Sequence, residues 1–223
     1  MNEEHPFIDY KQQSFSEEET IERSKEFYTY MNRRRSVRDF SDKHVPKEVI
    51  DNILLTASTA PSGAHKQPWT FCAISNATLK SKIREKAEIE ERKNYDGRMS
   101  DRWLKDLAHL GTDAVKEFID FAPWIVVMFK KSYNIEENGE KSNNYYVNES
   151  VGIAAGFLIS AIHQAGLVTL THTPSPMNFL AEVLERPENE KAFLLLPVGY
   201  AAETCKVPDL KRKDLDEIAI YFE

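Results

Sequence analysis

Apolar positions along the chain follow two periods. Val49, Ile50, Ile53, Leu54 and Ala57 recur at three- and four-residue intervals behind Pro46, which predicts a helix with proline at its start. Ser16 and Glu19 form a capping box, so a helix is expected from about residue 17, carrying Phe27, Tyr28 and Met31 and ending near the basic run RRRSVRDF (33–40). Asn76 caps a third helix with Leu79, Ile83 and Ala87 on one face. Residues 146–166, the most apolar stretch, read as a buried helix whose small Gly152, Ala154, Ala155 and Gly156 permit close packing. A short helix is expected over 177–186. Four shorter apolar runs predict buried strands: TFCAIS (70–75), WIVVMF (124–129), LVTLTHT (167–173), stopped by Pro174 and Pro176, and FLLLPVGY (193–200). The terminal IAIYF (218–222) is expected to pair as an edge strand. Helices flanking a small sheet make the fold class α+β, a three-layer sandwich.

Three stretches break the pattern. TAPSGAHKQPW (59–69) is a loop punctuated by Pro61, Gly63 and Pro68. EIEERKNYDGRMSDRWLKDLAHLG (88–111) is strongly charged and weakly patterned, and reads as a mobile, partly helical cover. KKSYNIEENGEKSNN (130–144) reads as a polar loop.

With 223 residues and 41% apolar composition, one domain over 1–223 is expected, and collagen, coiled coil and wholesale disorder are excluded. The net charge of −7 argues against a nucleic-acid partner. Cys72 and Cys205 have no CxxC spacing, and His5, His44, His65, His109, His163 and His172 show no metal-ligand spacing, so no metal site is expected. The acidic N-terminus lacks an apolar signal region and no run is long enough to span a membrane, so a soluble, cytoplasmic protein is expected. The chain lacks GxGxxG, GxxxxGK[ST] and GxSxG, which points to chemistry borrowed from a bound cofactor. Two basic clusters suit an anionic one: Arg34, Arg35, Ser36 and Arg38, and Lys211, Arg212 and Lys213. Gly63, in Pro61-Ser62-Gly63-Ala64-His65, lets backbone approach a planar ligand, and exposed amides there can hold an oxyanion.

RRSVRDF (34–40), APSGAHKQPWTF (60–71), GLVTLTHTP (166–174) and LLPVGY (195–200) followed by VPDLKRK (207–213) together resemble the nitroreductase-type flavoproteins, nearest to their iodotyrosine deiodinase branch. The resemblance covers the chain from about residue 30 to its end. It implies the nitroreductase-like sandwich with a small mixed sheet, bound FMN, and a homodimer with the site at the subunit interface. It also implies a terminal segment, 205–223, that reaches the partner subunit. By position, Arg34, Arg35, Ser36, Val37 and Arg38 resemble the grip on the flavin phosphate and ribityl chain, with Arg212 adding a cation. Ser62 and Gly63 resemble residues laid against the flavin from the partner subunit. Thr171, His172 and Thr173 resemble the segment along the ring's redox edge, with the Thr173 hydroxyl reaching N5 as the catalytic group and favouring one-electron steps. His172 stands where a hydroxyl residue is expected, and whether its ring or its backbone meets the flavin is left open.

Glu91 and Tyr95, four apart, share a helix face, and Lys116 lies downstream. Alone they would be ordinary surface groups. Beside the flavin motifs they resemble a grip on a free amino acid, with Glu91 on the ammonium, Lys116 on the carboxylate and Tyr95 adding a hydrogen bond. The Ala64 amide would hold the phenolate that an ortho halogen favours. The implied activity is FMN-dependent reductive dehalogenation of mono- and diiodotyrosine, with bromo- and chlorotyrosine, and 88–111 as the lid. The sequence shows no nicotinamide motif and does not identify the electron donor, which the resemblance implies is NAD(P)H directly or through a reductase. Two alternatives stand beside it: a broad NAD(P)H-dependent nitroreductase or quinone reductase, and a flavin-binding protein without turnover.

Overall fold

A four-stranded sheet organises the larger part of the computed structural model, which describes residues 6–223; His5 and the first residues of the acidic N-terminus lie outside them. The chain divides into two compact units, the first ending at Arg34 and the second spanning Arg35–Glu223.

The first unit contains α1, Glu17–Asn32. The Ser16 hydroxyl accepts the Glu19 N–H at 3.1 Å, and the Glu19 carboxylate accepts the Ser16 N–H at 2.8 Å, closing the expected capping box. No residue of α1 is buried, and Phe27 and Tyr28 are exposed.

In the second unit the elements are α2 (Lys47–Ser58), β1 (Trp69–Ile74), α3 (Ala77–Lys93), α4 (Asp101–Ala108), α5 (Phe118–Phe121), β2 (Trp124–Lys131), β3 (Tyr133–Ile135), β4 (Lys141–Asn143), α6 (Val147–Gln164), β5 (Val168–Thr169), α7 (Asn178–Val183) and β6 (Glu190–Gly199). The sheet order is β1-β2-β6-β5, and every ladder is antiparallel. The expected mixed character reduces to one isolated parallel bridge, Ser36 to Thr169.

Both faces of the sheet are covered, because its strands are apolar on both sides. Trp69, Val126, Met128, Leu196 and Val198 pack with Ile50, Ile53 and Ala57 of α2 and Val151, Ala154 and Leu158 of α6. Ile74, Ile125, Val127, Phe129 and Leu195 pack with Ile83 and Ala87 of α3, Ile119 of α5 and Leu180 of α7. The α2 periodicity is thus seated as its spacing predicts, and Asn76 caps α3 through the Leu79 N–H at 2.9 Å. Gly152 and Gly156 face outward on α6, so close packing there rests on Ala154 and Ala155.

Four expectations are corrected. The charged run does not begin a new element at Glu88: α3 continues to Lys93, with Glu88 and Glu91 buried. A wide turn, Asn94–Arg98, follows, with Gly97 at φ 133°, and then α4, capped by Ser100. The 130–144 segment is a hairpin of β3 and β4, closed by a loop in which the Gly139 N–H donates to the Glu136 carbonyl at 2.8 Å and Gly139, at φ 84°, takes the left-handed position that such loops give to glycine.

The strand expected over 167–173 is a ladder only at Val168–Thr169, resuming as a single bridge from His172 to Leu195. Its register sets Leu170 opposite Pro197, which has no N–H to donate, so the ladder breaks there. IAIYF forms no strand: after a single turn at Leu215–Glu217 it runs unpaired, with Ile220 82% and Phe222 95% exposed. An isolated segment gains nothing from strand geometry without a ladder partner. No described helix is long and apolar enough to cross a membrane, and the described residues contain no His, Cys, Asp and Glu group able to hold a metal ion.

Candidate active site

The segment after Arg34 is laced into the second unit on two sides. The Val37 N–H donates to the Thr169 carbonyl at 3.1 Å, and the Ser41 N–H to the Tyr200 carbonyl at 2.9 Å. Asp39 accepts the Ala202 N–H on its carbonyl and the Lys206 N–H on its carboxylate, and the Arg35 guanidinium donates to the Pro208 carbonyl. These bonds place Ser36 and Arg38 beside the edge strand and hold the start of the basic tail against Arg35. Arg34 belongs to the first unit, and Arg212 lies further along the tail.

Ser36 and Arg38 open onto a cavity of about 310 Å³, near the lower end for small-molecule sites. Glu91 and Tyr95 line it from α3 and the turn after it, and Lys116 from the approach to α5. Thr171, His172 and Thr173 line it from the broken end of β5. Met99, Trp103, Leu107 and Leu110 bring the apolar side of α4 and its flanks to the same space. One cavity therefore gathers Glu91, Tyr95 and Lys116, expected to grip an amino acid, and five of the eleven residues expected to meet a flavin: Ser36, Arg38, Thr171, His172 and Thr173. Ser62, Gly63, Ala64 and Arg212 are not among its lining residues.

The polar heart of the cavity is an ion pair. Lys116 Nζ lies 3.5 Å from the Glu91 carboxylate, and both side chains are less than a tenth exposed. Lys116 Nζ also donates to Thr112 Oγ1 at 3.3 Å and to the Asp113 carbonyl, and sits 5.9 Å from the Tyr95 ring. The Tyr95 hydroxyl donates to the Thr112 carbonyl at 3.0 Å. Burial pushes the Glu91 carboxyl up and the Lys116 ammonium down, and the charge of each partly opposes the shift of the other. Two such charges are poorly compensated by one another, which suits them to a ligand carrying the opposite pair.

At the end of β5, Thr171 and Thr173 are exposed and His172 between them is buried, the alternation of an extended segment. The His172 N–H and carbonyl are both bonded to Leu195, at 2.9 and 3.0 Å. The imidazole ring stands edge-on to Phe118 with its centroid 5.4 Å away, and its Nε2 has no hydrogen-bond partner among the described residues. Burial first, then the charges of Lys116 and Arg38, lower its pKa to about 3, so the imidazole is neutral. Arg38 Nε is likewise buried without a partner.

The loop before β1 is strained where the sequence reading places an oxyanion contact. Ala64, His65 and Gln67 have φ of 50°, 55° and 47°, the left-handed region non-glycine residues seldom adopt. The Gly63 N–H donates to Ser150 Oγ at 3.2 Å, and Ser62 Oγ accepts the Gln67 N–H at 2.9 Å. The Ala64 amide is exposed and makes no hydrogen bond among the described residues.

Sequence reasoning missed Trp103, Leu107 and Leu110, although their four- and three-residue spacing is a helical stripe. It also missed Thr112 and Phe118, which no local pattern marks.

Fold and cavity define the class: a three-layer α+β body with a half-open cavity that gathers charged side chains beside α4. The profile of the nitroreductase family matches residues 31–200. The chain is 55% identical to the iodotyrosine deiodinase of Haliscomenobacter hydrossis over 222 residues, covering 100% of both chains. It is 47% identical to iodotyrosine deiodinase 1 of Homo sapiens over 98% of this chain and 75% of that one. Among solved structures, an oxidized iodotyrosine deiodinase bound to FMN and 3-iodo-L-tyrosine superposes with a TM-score of 0.75 at 27% identity, covering 88% of this chain and 99% of that one. The chain belongs to the nitroreductase family of oxidoreductases, in the group that contains the iodotyrosine deiodinases.

Proposed function

We propose that the chain, as a homodimer holding FMN, reduces mono- and diiodotyrosine, and bromo- and chlorotyrosine with them, to tyrosine and halide. The aryl–halogen bond takes up two electrons and one proton, a C–H bond forms and halide leaves. The observation that carries this reading is the buried Glu91–Lys116 pair, 3.5 Å apart in the cavity that also holds Tyr95. A nitroaromatic or a quinone brings no charges to satisfy both partners once separated. An amino-acid zwitterion brings both. The full-length likeness to iodotyrosine deiodinases supports the same substrate class.

The residues present fit FMN. A buried guanidinium nitrogen without a partner, on Arg38, suits a polyanionic ligand, and the Thr173 hydroxyl makes no hydrogen bond among the described residues. Arg35, Ser36, Val37 and Arg38 would hold the phosphate and ribityl chain with Arg212, Arg34 joining them on its place in the motif. Thr171, His172 and Thr173 would lie along the redox edge. Ser62 and Gly63 would come from a second copy; neither lines the cavity that holds Ser36, Arg38, Thr171, His172 and Thr173. Exposed Ile153 and Phe157 on α6, and Ile220 and Phe222 in the tail over 205–223, are apolar surface for that copy to cover. When bound, FMN supplies the electrons, received from NAD(P)H directly or through a reductase.

The chain's own residues do the rest. Lys116 turns from Glu91 to the substrate carboxylate, and Glu91 takes the ammonium. Tyr95 adds a hydrogen bond to the same zwitterion. The exposed Ala64 amide receives the phenolate. The segment over 88–111 acts as the lid through its α4 part, where Trp103, Leu107 and Leu110 exclude water. Thr173 offers its hydroxyl to the redox edge and is too weak an acid near neutral pH to serve as a general acid.

Thr173→Ala tests this. The variant is expected to keep its FMN and to bind 3-iodotyrosine within a few fold of the parent. Its deiodination should fall about tenfold, the scale of one lost hydrogen bond, while nitroaromatic reduction persists or rises. Equal losses on both substrates would remove Thr173 from the dehalogenation step.

A further inference from the structure

Helix α3 holds residue 116 twice. Glu91 pairs with the Lys116 side chain at 3.5 Å, and three residues earlier, on the same face, Glu88 Oε1 accepts the Lys116 backbone N–H at 2.9 Å. Glu88 is buried, and its other contacts are made by guanidinium groups. Arg84 Nε donates to Oε1 and Arg92 Nη2 to Oε2, both at 2.8 Å. Arg84 reaches onward to Asp120 at 2.9 Å and to Glu117 at 3.7 Å. A carboxylate with three hydrogen-bond partners thus joins α3 to the stretch 116–120, where the irregular approach passes into α5.

The geometry points to Glu88 as a positioning residue: its bond to the Lys116 amide fixes where that backbone stands while the Lys116 side chain is free to leave Glu91 for a ligand carboxylate. This rests on the zwitterion reading of Glu91 and Lys116. When a zwitterion enters, the Glu91–Lys116 contact opens, and it is one of only two links from α3 to Lys116. If the side-chain link were the only one, opening it would leave Lys116 itself untied from α3, although Lys80 and Arg84 still hold Asp120, and would raise the entropy cost of closing the site. The Glu88 link survives because the ligand does not compete for a backbone N–H. Burial alone would raise the Glu88 carboxyl, but the Lys116 amide and Arg84 outweigh burial and hold it below the ordinary range. Glu88 therefore stays an anionic acceptor throughout the working pH range.

Glu88 touches neither substrate nor cofactor, so its effect must be selective. The test uses the oxidised holoenzyme and two ligands, 3-iodotyrosine and 2-iodophenol, the second carrying the halogenated phenol without the amino-acid end. Glu88→Gln is expected to weaken 3-iodotyrosine binding about tenfold, the scale of one misplaced charge-assisted contact, and to leave 2-iodophenol binding unchanged. Glu88→Asp keeps the charge for Arg84 and Arg92 but draws back from the Lys116 amide. It carries the same expectation and keeps the test open if Glu88→Gln does not fold. Equal losses on both ligands would make Glu88 a scaffold residue and overturn the inference. So would no loss on either ligand in Glu88→Gln while Lys116→Gln loses 3-iodotyrosine selectively. If Lys116→Gln itself shows no selective loss, the zwitterion reading fails, and the role of Glu88 falls with it.

Discussion

Lys116→Ala is expected to abolish recognition of the amino-acid end of the substrate. Halotyrosine binding should weaken by about 2–3 kcal/mol, roughly 30- to 150-fold, because the charge-assisted contact to the substrate carboxylate is lost. Binding of a halophenol should change far less. Stability falls too: removing one member of a buried pair costs about 3 kcal/mol or more. That deficit has a pH signature. Burial raises the Glu91 carboxyl and Lys116 opposes the rise, so removing Lys116 drives the folded-state pKa further above the unfolded one. A carboxyl raised in the folded state adds stability below its unfolded pKa and loses it as pH rises through the folded pKa. The gap between Lys116→Ala and the parent should therefore be widest near neutral pH and close toward about pH 4, where the unfolded carboxyl titrates. Thermal unfolding of both proteins across that range checks this, and a gap independent of pH would mean that Glu91 does not depend on Lys116.

Gly63→Val is the second large effect. A Cβ at position 63 would stand 2.8 Å from the Tyr145 carbonyl oxygen and 3.1 Å from its carbon, and backbone on that side cannot swing away as a side-chain tip can. Tyr145 precedes Tyr146, itself at φ 47° at the start of α6, and Ser150 of that helix accepts the Gly63 N–H. The loop is therefore pressed onto α6 at a point where only glycine fits. Valine pushes it off and takes the neighbouring Ala64 amide with it. Displacement of about 1 Å in a positioning group can cost about 10²-fold in rate, and a loss of deiodination on that scale is expected. The fold should lose only the roughly 1–3 kcal/mol of an overpacked site. Turnover measured alongside thermal unfolding separates the two, and retained turnover would take Ala64 out of the phenolate contact.

Local physics made much of this molecule legible. The capping box of Ser16 and Glu19, the Asn76 cap and the α2 stripe each involve residues within a turn or two of one another, and each is present. Glu91 and Tyr95 were readable for the same reason. What escaped depends on partners distant in the chain. Glu88 looks like a solvated charge until Arg84 and the Lys116 amide are seen against it. The interruption of β5 is written in Pro197, on another strand. The Asn138-Gly139 hairpin was readable and was masked by the polar residues around it. The ordered motifs from RRSVRDF to VPDLKRK supplied the site because a resemblance carries long-range pairings that spacing alone does not.

Dehalogenation of a halotyrosine by the reduced protein is the central claim, and one titration addresses it directly. The FMN-loaded protein is reduced with dithionite under anaerobic conditions and 3-iodotyrosine is added in increments, with flavin absorbance followed and products separated. Stepwise reoxidation of the flavin, with tyrosine and iodide appearing in equal amounts, is the predicted result. Flavin that stays reduced over intact 3-iodotyrosine, while a simple nitroaromatic reoxidises it at once, would contradict the account and leave a general nitroreductase in its place.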